Sequence, residues 1–277
     1  MKLIDFDGLF DEKLAVYMEE NKEKYTEQQW EDVIPRLYKK FGDTYVAKVK
    51  CTPKEYYAKM TDAELTETLL AHLASDVPVP EFLCGEMESR GNAEMLLPLL
   101  DSDDAQTVSY AVNMLLSERK AYEKYFTMLQ EGKLPEDVLD DVVDVLKADA
   151  DFVCDRALEL YRKGEATEYV LEILSRLKEK RSDEAYRILL NEFLQAEEKT
   201  PMRASYLAAY GDERALPVLL ERIADETIGF VEFQELKYAI EALGGEYDEP
   251  RDFSWDSQYI AVEEAGAKAL KTDEPKS

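Results

Sequence analysis

Apolar residues recur at intervals of three and four along most of the chain, the spacing of a helix face, and polar residues fill the positions between them. From about residue 81 this pattern reads as helix after helix, separated by short polar turns. Helix-turn-helix blocks can be centred on Asp103, Asp149, Asp183 and Asp225, with separations of 46, 34 and 42 residues. Nowhere does the pattern change to sustained alternation. Asp7-Gly8 lies between short segments only, so no hairpin is predicted. The expectation is an all-α chain.

Helix starts are well marked near the N-terminus. Thr26-Glu27-Gln28-Gln29 and Thr61-Asp62-Ala63-Glu64 fit the capping box. Thr52-Pro53-Lys54-Glu55 adds proline at the first helical position, where its missing N–H costs nothing. Pro35 falls inside the pattern from Gln28 to Phe41 and predicts a break or kink near Ile34. Asp76-Val77-Pro78-Val79-Pro80 reads as a connector.

One line of sequence recurs. Gly91-Asn92-Ala93-Glu94-Met95-Leu96-Leu97-Pro98-Leu99-Leu100 returns 120 residues later as Gly211-Asp212-Glu213-Arg214-Ala215-Leu216-Pro217-Val218-Leu219-Leu220. Each copy opens with glycine and a small capping residue, then enters a leucine-rich helix containing proline. A second helix follows, Ala111–Leu116 in one copy and Ala239–Gly244 in the other. Recurring helix pairs with a period near 40 predict an α-solenoid of antiparallel helix pairs. The division expected is an aromatic-rich N-terminal helical module over 1–80, a repeat array over 81–245, and a capping helix with a frayed tail over 246–277. Tyr259, Val262, Ala269 and Leu270 are expected to cover the end of the array, and Lys271 to Ser277 to fray.

Met202 to Gly245 carries Ala208-Ala209-Tyr210-Gly211-Asp212-Glu213-Arg214-Ala215-Leu216-Pro217-Val218-Leu219-Leu220 and then Ala239-Ile240-Glu241-Ala242-Leu243-Gly244. This segment resembles HEAT-like repeats of the phycobilisome-lyase type, with Gly-Asp before an Ala-Leu helix and Ala–Leu–Gly closing the next. The match is partial around Gly91 to Leu116, and residues 135–197 share only helix length and turn position, without the Gly-Asp. The resemblance implies a helical-repeat fold and a tendency to bind proteins; it carries no catalytic residue onto this chain.

Charge narrows the partners. The chain holds 61 acidic and 34 basic residues, a net of −27. The imbalance is uneven: residues 1–60 hold 12 acidic and 11 basic, residues 61–160 hold 23 and 7, and residues 161–277 hold 26 and 16. Such a field repels phosphate backbones and anionic lipid, so neither nucleic acid nor membrane is expected as a partner. A protein or peptide with a basic surface is. The first sixty residues also carry ten of the 29 aromatics. Packing against the first repeat is one reading of Trp30, Ile34, Leu37, Tyr38, Phe41, Tyr56 and Tyr57; an aromatic groove that takes a peptide is the other.

Candidate chemistry is sparse. The single histidine, His72, reads as a partly exposed residue near a helix C-terminus. Cys51, Cys84 and Cys154 fit neither a disulfide framework nor a zinc site. Cys84 beside Gly85 is a candidate reactive thiol, with a buried cysteine as the plainer reading. Asp101-Ser102-Asp103-Asp104 lacks the glycine and glutamate of a calcium loop and reads as a turn and helix cap. Met1 to Phe10 has no long apolar stretch, unlike a secretory signal, and no window is long enough to cross a bilayer; a cytoplasmic protein is expected. No cofactor, metal or catalytic site is predicted.

One cluster stands apart. Asp137, Asp140, Asp141 and Asp144 fall at i, i+3, i+4 and i+7, on one helix face, with Leu139, Val142, Val143, Val145 and Leu146 directed elsewhere. The expected function is non-enzymatic binding of protein or peptide by an acidic face built on these residues, extended by Asp101, Asp103 and Asp104 if the helices stack. An accessory role in enzyme or cofactor maturation and an acidic decoy that displaces nucleic acid from a basic protein are the alternatives.

Overall fold

The computed structural model describes residues 3–272, excluding the side chains of residues 197 and 266–272. Among the described residues it is all-helical: sixteen α-helices and four short 3₁₀ turns, with one isolated bridge between Val46 and Cys51. The chain divides into two compact units, Met1–Val142 and Val143–Ser277.

The first unit contains α1 (Phe6–Glu20), α2 (Glu27–Phe41), α3 (Pro53–Ala58), α4 (Asp62–Leu73), α5 (Glu81–Arg90), α6 (Ala93–Leu96), α7 (Ala105–Leu115) and α8 (Tyr122–Glu131). All three predicted capping boxes form, with Thr26, Thr52 and Thr61 accepting from the third backbone N–H and receiving the reciprocal side chain. Of the break or kink expected near Ile34, the break does not occur. Helix α2 runs continuously through Pro35 because this residue and Glu31 lie on the exposed side, where water can satisfy the Glu31 carbonyl that lost its N–H partner.

Aromatic rings build much of this core. Phe6 meets Tyr57 edge-on at 5.7 Å, Phe10 meets Tyr38 at 5.0 Å, and Tyr38 stacks on Phe82 at 4.6 Å. Leu65, Leu69, Leu83 and Met87 are fully buried beside them. The Tyr38–Phe82 stack shows that helices on either side of the Asp76–Pro80 connector share one packed interior. His72 departs from expectation: it is buried, at 1% exposure, with Nδ1 3.1 Å from the Val77 carbonyl and Nε2 without a partner. The connector returns to the last turn of α4 closely enough for the Val77 carbonyl to reach the ring, which the helix spacing alone does not reveal.

Helix α9 (Glu136–Ala148) carries the chain from the first unit into the second. The second unit then continues with α10 (Ala150–Lys163), α11 (Thr167–Leu174), α12 (Asp183–Leu194), α13 (Thr200–Tyr210), α14 (Leu216–Ile223), α15 (Phe230–Ala242) and α16 (Ser257–Thr272). Consecutive helices pack in sequence here, α10 on α11, α12 on α13 and α14 on α15, with α13 also against α15. Two of the aspartates expected at turns sit there, Asp149 between α9 and α10 and Asp225 between α14 and α15, whereas Asp183 is the first residue of α12.

The recurring glycines play a different part from the one read in sequence. Gly91 and Gly211, at φ +58° and +74°, close the preceding helices α5 and α13 in the left-handed conformation. The segment after each also differs. Asp212 caps a 3₁₀ turn leading into α14, whereas α6 is one turn long and Pro98 falls in a 3₁₀ turn, Leu97–Asp101.

At the C-terminal side, Phe253 is buried against Phe230 and Phe233, and Tyr259 meets Phe230 at 5.1 Å. Asp256 accepts from the Phe230 N–H at 2.8 Å. Val262, expected to cover the end of the array, is instead 57% exposed. Ala269 and Leu270, expected to help, have side chains outside the described residues, and so does the tail from residue 273.

Candidate functional site

Pro135 starts α9, its carbonyl accepting from the N–H groups of Val138 and Leu139. Val138, Leu139, Val142, Val143 and Leu146 are buried, so the apolar spacing fixes which side of α9 faces inward. Asp137, Asp140 and Asp144 are exposed and Asp141 is half-buried. Their surroundings differ. Asp141 accepts from the Asn113 side-chain amide at 3.3 Å. Asp144 pairs with Lys147 at 2.6 Å, and Lys147 also bonds Glu172. Burial pushes the Lys147 ammonium down, but the carboxylates of Asp144 and Glu172 more than offset it and hold it above its ordinary value. Asp137 and Asp140 have no ion pair among the described residues.

Of the three aspartates expected to extend this face, Asp101 and Asp104 have intramolecular partners. Asp104 caps α7, accepting from the Thr107 hydroxyl at 2.6 Å and its N–H at 2.8 Å, and these bonds hold its carboxyl below the usual range. The turn-and-cap reading of residues 101–104 is what the structure shows. Asp101 is bound by Lys124, and Asp103 lies with Lys124 and Lys133 on the wall of a cleft of about 580 Å³. Two lysines beside Asp101 and Asp103 set this cleft apart from the α9 face.

A second feature lies in the first unit. Helices α2, α3 and α5 enclose an open groove of about 1000 Å³. Its floor is aromatic: Phe10, Tyr38 and Phe82 all line it. The Tyr38 hydroxyl donates to Asp7 at 2.6 Å, which fixes the ring. Burial raises the Asp7 carboxyl, and burial together with the Asp7 carboxylate raises the Tyr38 phenol. Tyr38 thus packs on Phe82 and also lines the groove.

Two residues of this lining break local helix rules. Pro35 stands in the interior of α2, where proline costs about 3 kcal/mol. Gly85 stands in the interior of α5, where glycine costs about 1 kcal/mol relative to alanine. Nothing inside the protein requires that glycine. Its φ is not positive, and a Cβ added there would meet no atom within 4 Å.

Cys84 also borders the groove. Its thiol is pushed up to about 11, first by burial and then by the nearby Glu88 carboxylate. A nucleophilic cysteine needs the opposite shift, so this environment favours an inert thiol. Cys51 and Cys154 are buried and unpaired with other cysteines. Among the described residues no group of three or more His, Cys, Asp and Glu side chains is placed to hold a metal ion, and no helix is long and apolar enough to cross a membrane.

The sequence contained a signal for the groove, namely a proline and a glycine each inside a helical pattern. That both line the same cavity is a tertiary fact. Compared with protein families, curated proteins and solved structures, the chain shows no significant match.

Proposed function

We propose that this chain is a non-enzymatic helical-repeat protein of the HEAT-like kind that binds a protein or peptide with a basic surface, using the exposed carboxylates of α9. The observation that carries the reading is the placement of Asp137, Asp140 and Asp144 on the solvent side of one helix whose opposite side is wholly apolar and buried. Like charges at this spacing repel by a few tenths of a kcal/mol per pair, roughly, so the arrangement opposes local stability. It concentrates negative potential along two helical turns, the feature a cluster of Lys and Arg recognises. Asp101 and Asp104 contribute to the general field rather than to the contact, since Lys124 and a helix cap engage them, and Asp103 lines a separate cleft with Lys124 and Lys133.

The test is the double substitution Asp140→Lys/Asp144→Lys. Lys147 keeps Glu172 as a partner in this variant, so no buried cation is stranded. Affinity capture with wild type and variant as baits, followed by quantitative mass spectrometry, is expected to show a set of strongly basic proteins lost from the variant while its thermal unfolding is unchanged. Indistinguishable capture by the two baits would refute the assignment to α9.

A further inference from the structure

The groove of the first unit is separate from the α9 carboxylates, and its lining describes an occupant. On α5 the exposed positions are Glu81, Gly85, Glu88 and Ser89; the first three fall at i, i+4 and i+7, with Cys84 half-buried between them, and Ser89 adds a small hydroxyl beside Glu88. This stripe lines the groove along its length, carboxylates at both ends and a notch without a side chain in the middle. Seven residues of helix span about 10.5 Å, which sets the separation of the two acids along the axis. Across the groove α2 offers Ile34, Pro35 and Tyr38, an apolar wall continuous with the aromatic floor.

Charged groups on the rim divide into committed and uncommitted. Lys54 is paired with Asp43 at 2.8 Å, Glu55 completes the cap at Thr52, and Glu86 binds Arg90 at 2.8 Å. Glu81 and Glu88 have no ion pair among the described residues. Lys39, on the α2 side, has no ion pair among the described residues, and Asp11 borders the adjoining hollow that shares Phe10, Tyr38 and Glu81. The acidic edge therefore runs along α5, in the part of the chain where residues 61–160 carry 23 acidic against 7 basic residues.

We propose that this groove binds an amphipathic helix of a partner protein, with Lys or Arg at two positions seven apart and apolar residues three or four positions in from the first. Laid along α5, such a helix sets its cations against Glu81 and Glu88, and its apolar residues enter between, onto Tyr38 and Phe82. Gly85 has a purpose in this arrangement that it lacks in the free protein: without a Cβ, the backbone of α5 can be approached closely. Local helix rules are broken most often where function requires it, and Pro35 and Gly85 break them on facing walls of one cavity. The same charge argument disfavours a second copy of this chain, whose net of −27 would meet the acidic rim with like charge.

Binding is measured on the full chain by fluorescence anisotropy with a labelled model helix carrying Arg at i and i+7 and Leu at i+3 and i+4. Two control peptides have Glu in place of Arg, or the arginines moved to a spacing of four. The expected result is at least tenfold tighter binding of the first peptide than of either control, weakening as salt is raised. Gly85→Leu fills the notch and is expected to reduce affinity about tenfold or more while melting no lower than wild type, since leucine is the better helix former and no atom opposes its Cβ. Glu81→Lys/Glu88→Lys should lose binding likewise, and Asp140→Lys/Asp144→Lys should keep it, which separates this groove from the α9 reading. The proposal is overturned if no peptide binds, if the three peptides bind alike, or if Gly85→Leu retains full affinity. It is equally overturned if sedimentation velocity shows a wild-type dimer that Gly85→Leu dissociates, because the occupant is then a second copy.

Discussion

Asp151, in the first turn of α10, reaches a segment 27 to 29 residues away and holds it by backbone hydrogen bonds. Its Oδ1 accepts from the N–H groups of Lys178 and Lys180 at 3.0 and 2.9 Å, and its Oδ2 accepts from Glu179 at 3.1 Å. The same loop is held from the other side, where the Tyr210 hydroxyl exchanges hydrogen bonds with the backbone of Ser182 and Arg181 reaches the carbonyls of Tyr210 and Gly211. One carboxylate thus ties α10 to the turn that precedes α12. Asp151→Ala removes all three acceptors at once. Bonds to a charged group contribute about 1.5–3 kcal/mol singly, but these donors are near the surface and return to water, so the loss expected is about 2–3 kcal/mol in total. At about 2–4 °C per kcal/mol for a chain of this size, Tm should fall by roughly 4–12 °C.

The pH dependence of that loss identifies its source. Burial pushes the Asp151 carboxyl up, but the three N–H donors together outweigh it and hold the folded-state value below the ordinary one. A depressed value adds stability above the ordinary aspartate range near 3.9, roughly, and loses it as pH falls through the folded-state value. Urea unfolding of wild type and Asp151→Ala should therefore show the full gap at neutral pH and a closing gap below about pH 4. Asp151→Asn, with one acceptor oxygen and an amide facing the Glu179 N–H, should fall between them with a stability that does not follow this titration. A gap under about 0.5 kcal/mol at neutral pH, or one unchanged on acidification, would refute the argument.

Two further substitutions probe buried polar groups. Arg203, with a side chain only 4% exposed, takes both oxygens of Glu168 at 2.8 Å. Glu168→Ala strands that guanidinium and should cost about 3 kcal/mol in chemical denaturation, with Glu168→Gln recovering part of it. The Tyr125 hydroxyl is buried with no partner among the described residues, so Tyr125→Phe is expected to raise stability by about 0.5–1 kcal/mol. A clear loss in thermal or urea unfolding would show that the hydroxyl is satisfied after all.

The sequence alone determined where helices begin and turn. Thr26, Thr52 and Thr61 cap their helices through partners three residues away, and the aspartates at 103, 149 and 225 lie between helices, because these interactions close within a few residues. The inward side of α9 followed from the same local periodicity. What faces each helix is set by segments distant in sequence, and only the tertiary structure decided it. The buried His72 ring meets the Val77 carbonyl of the connector, α2 survives Pro35 because that side meets solvent, and Asp101 is engaged because Lys124 lies 23 residues on. Pro35 and Gly85 were each visible as local faults, but the groove they share exists only once α2 and α5 are packed beside one another.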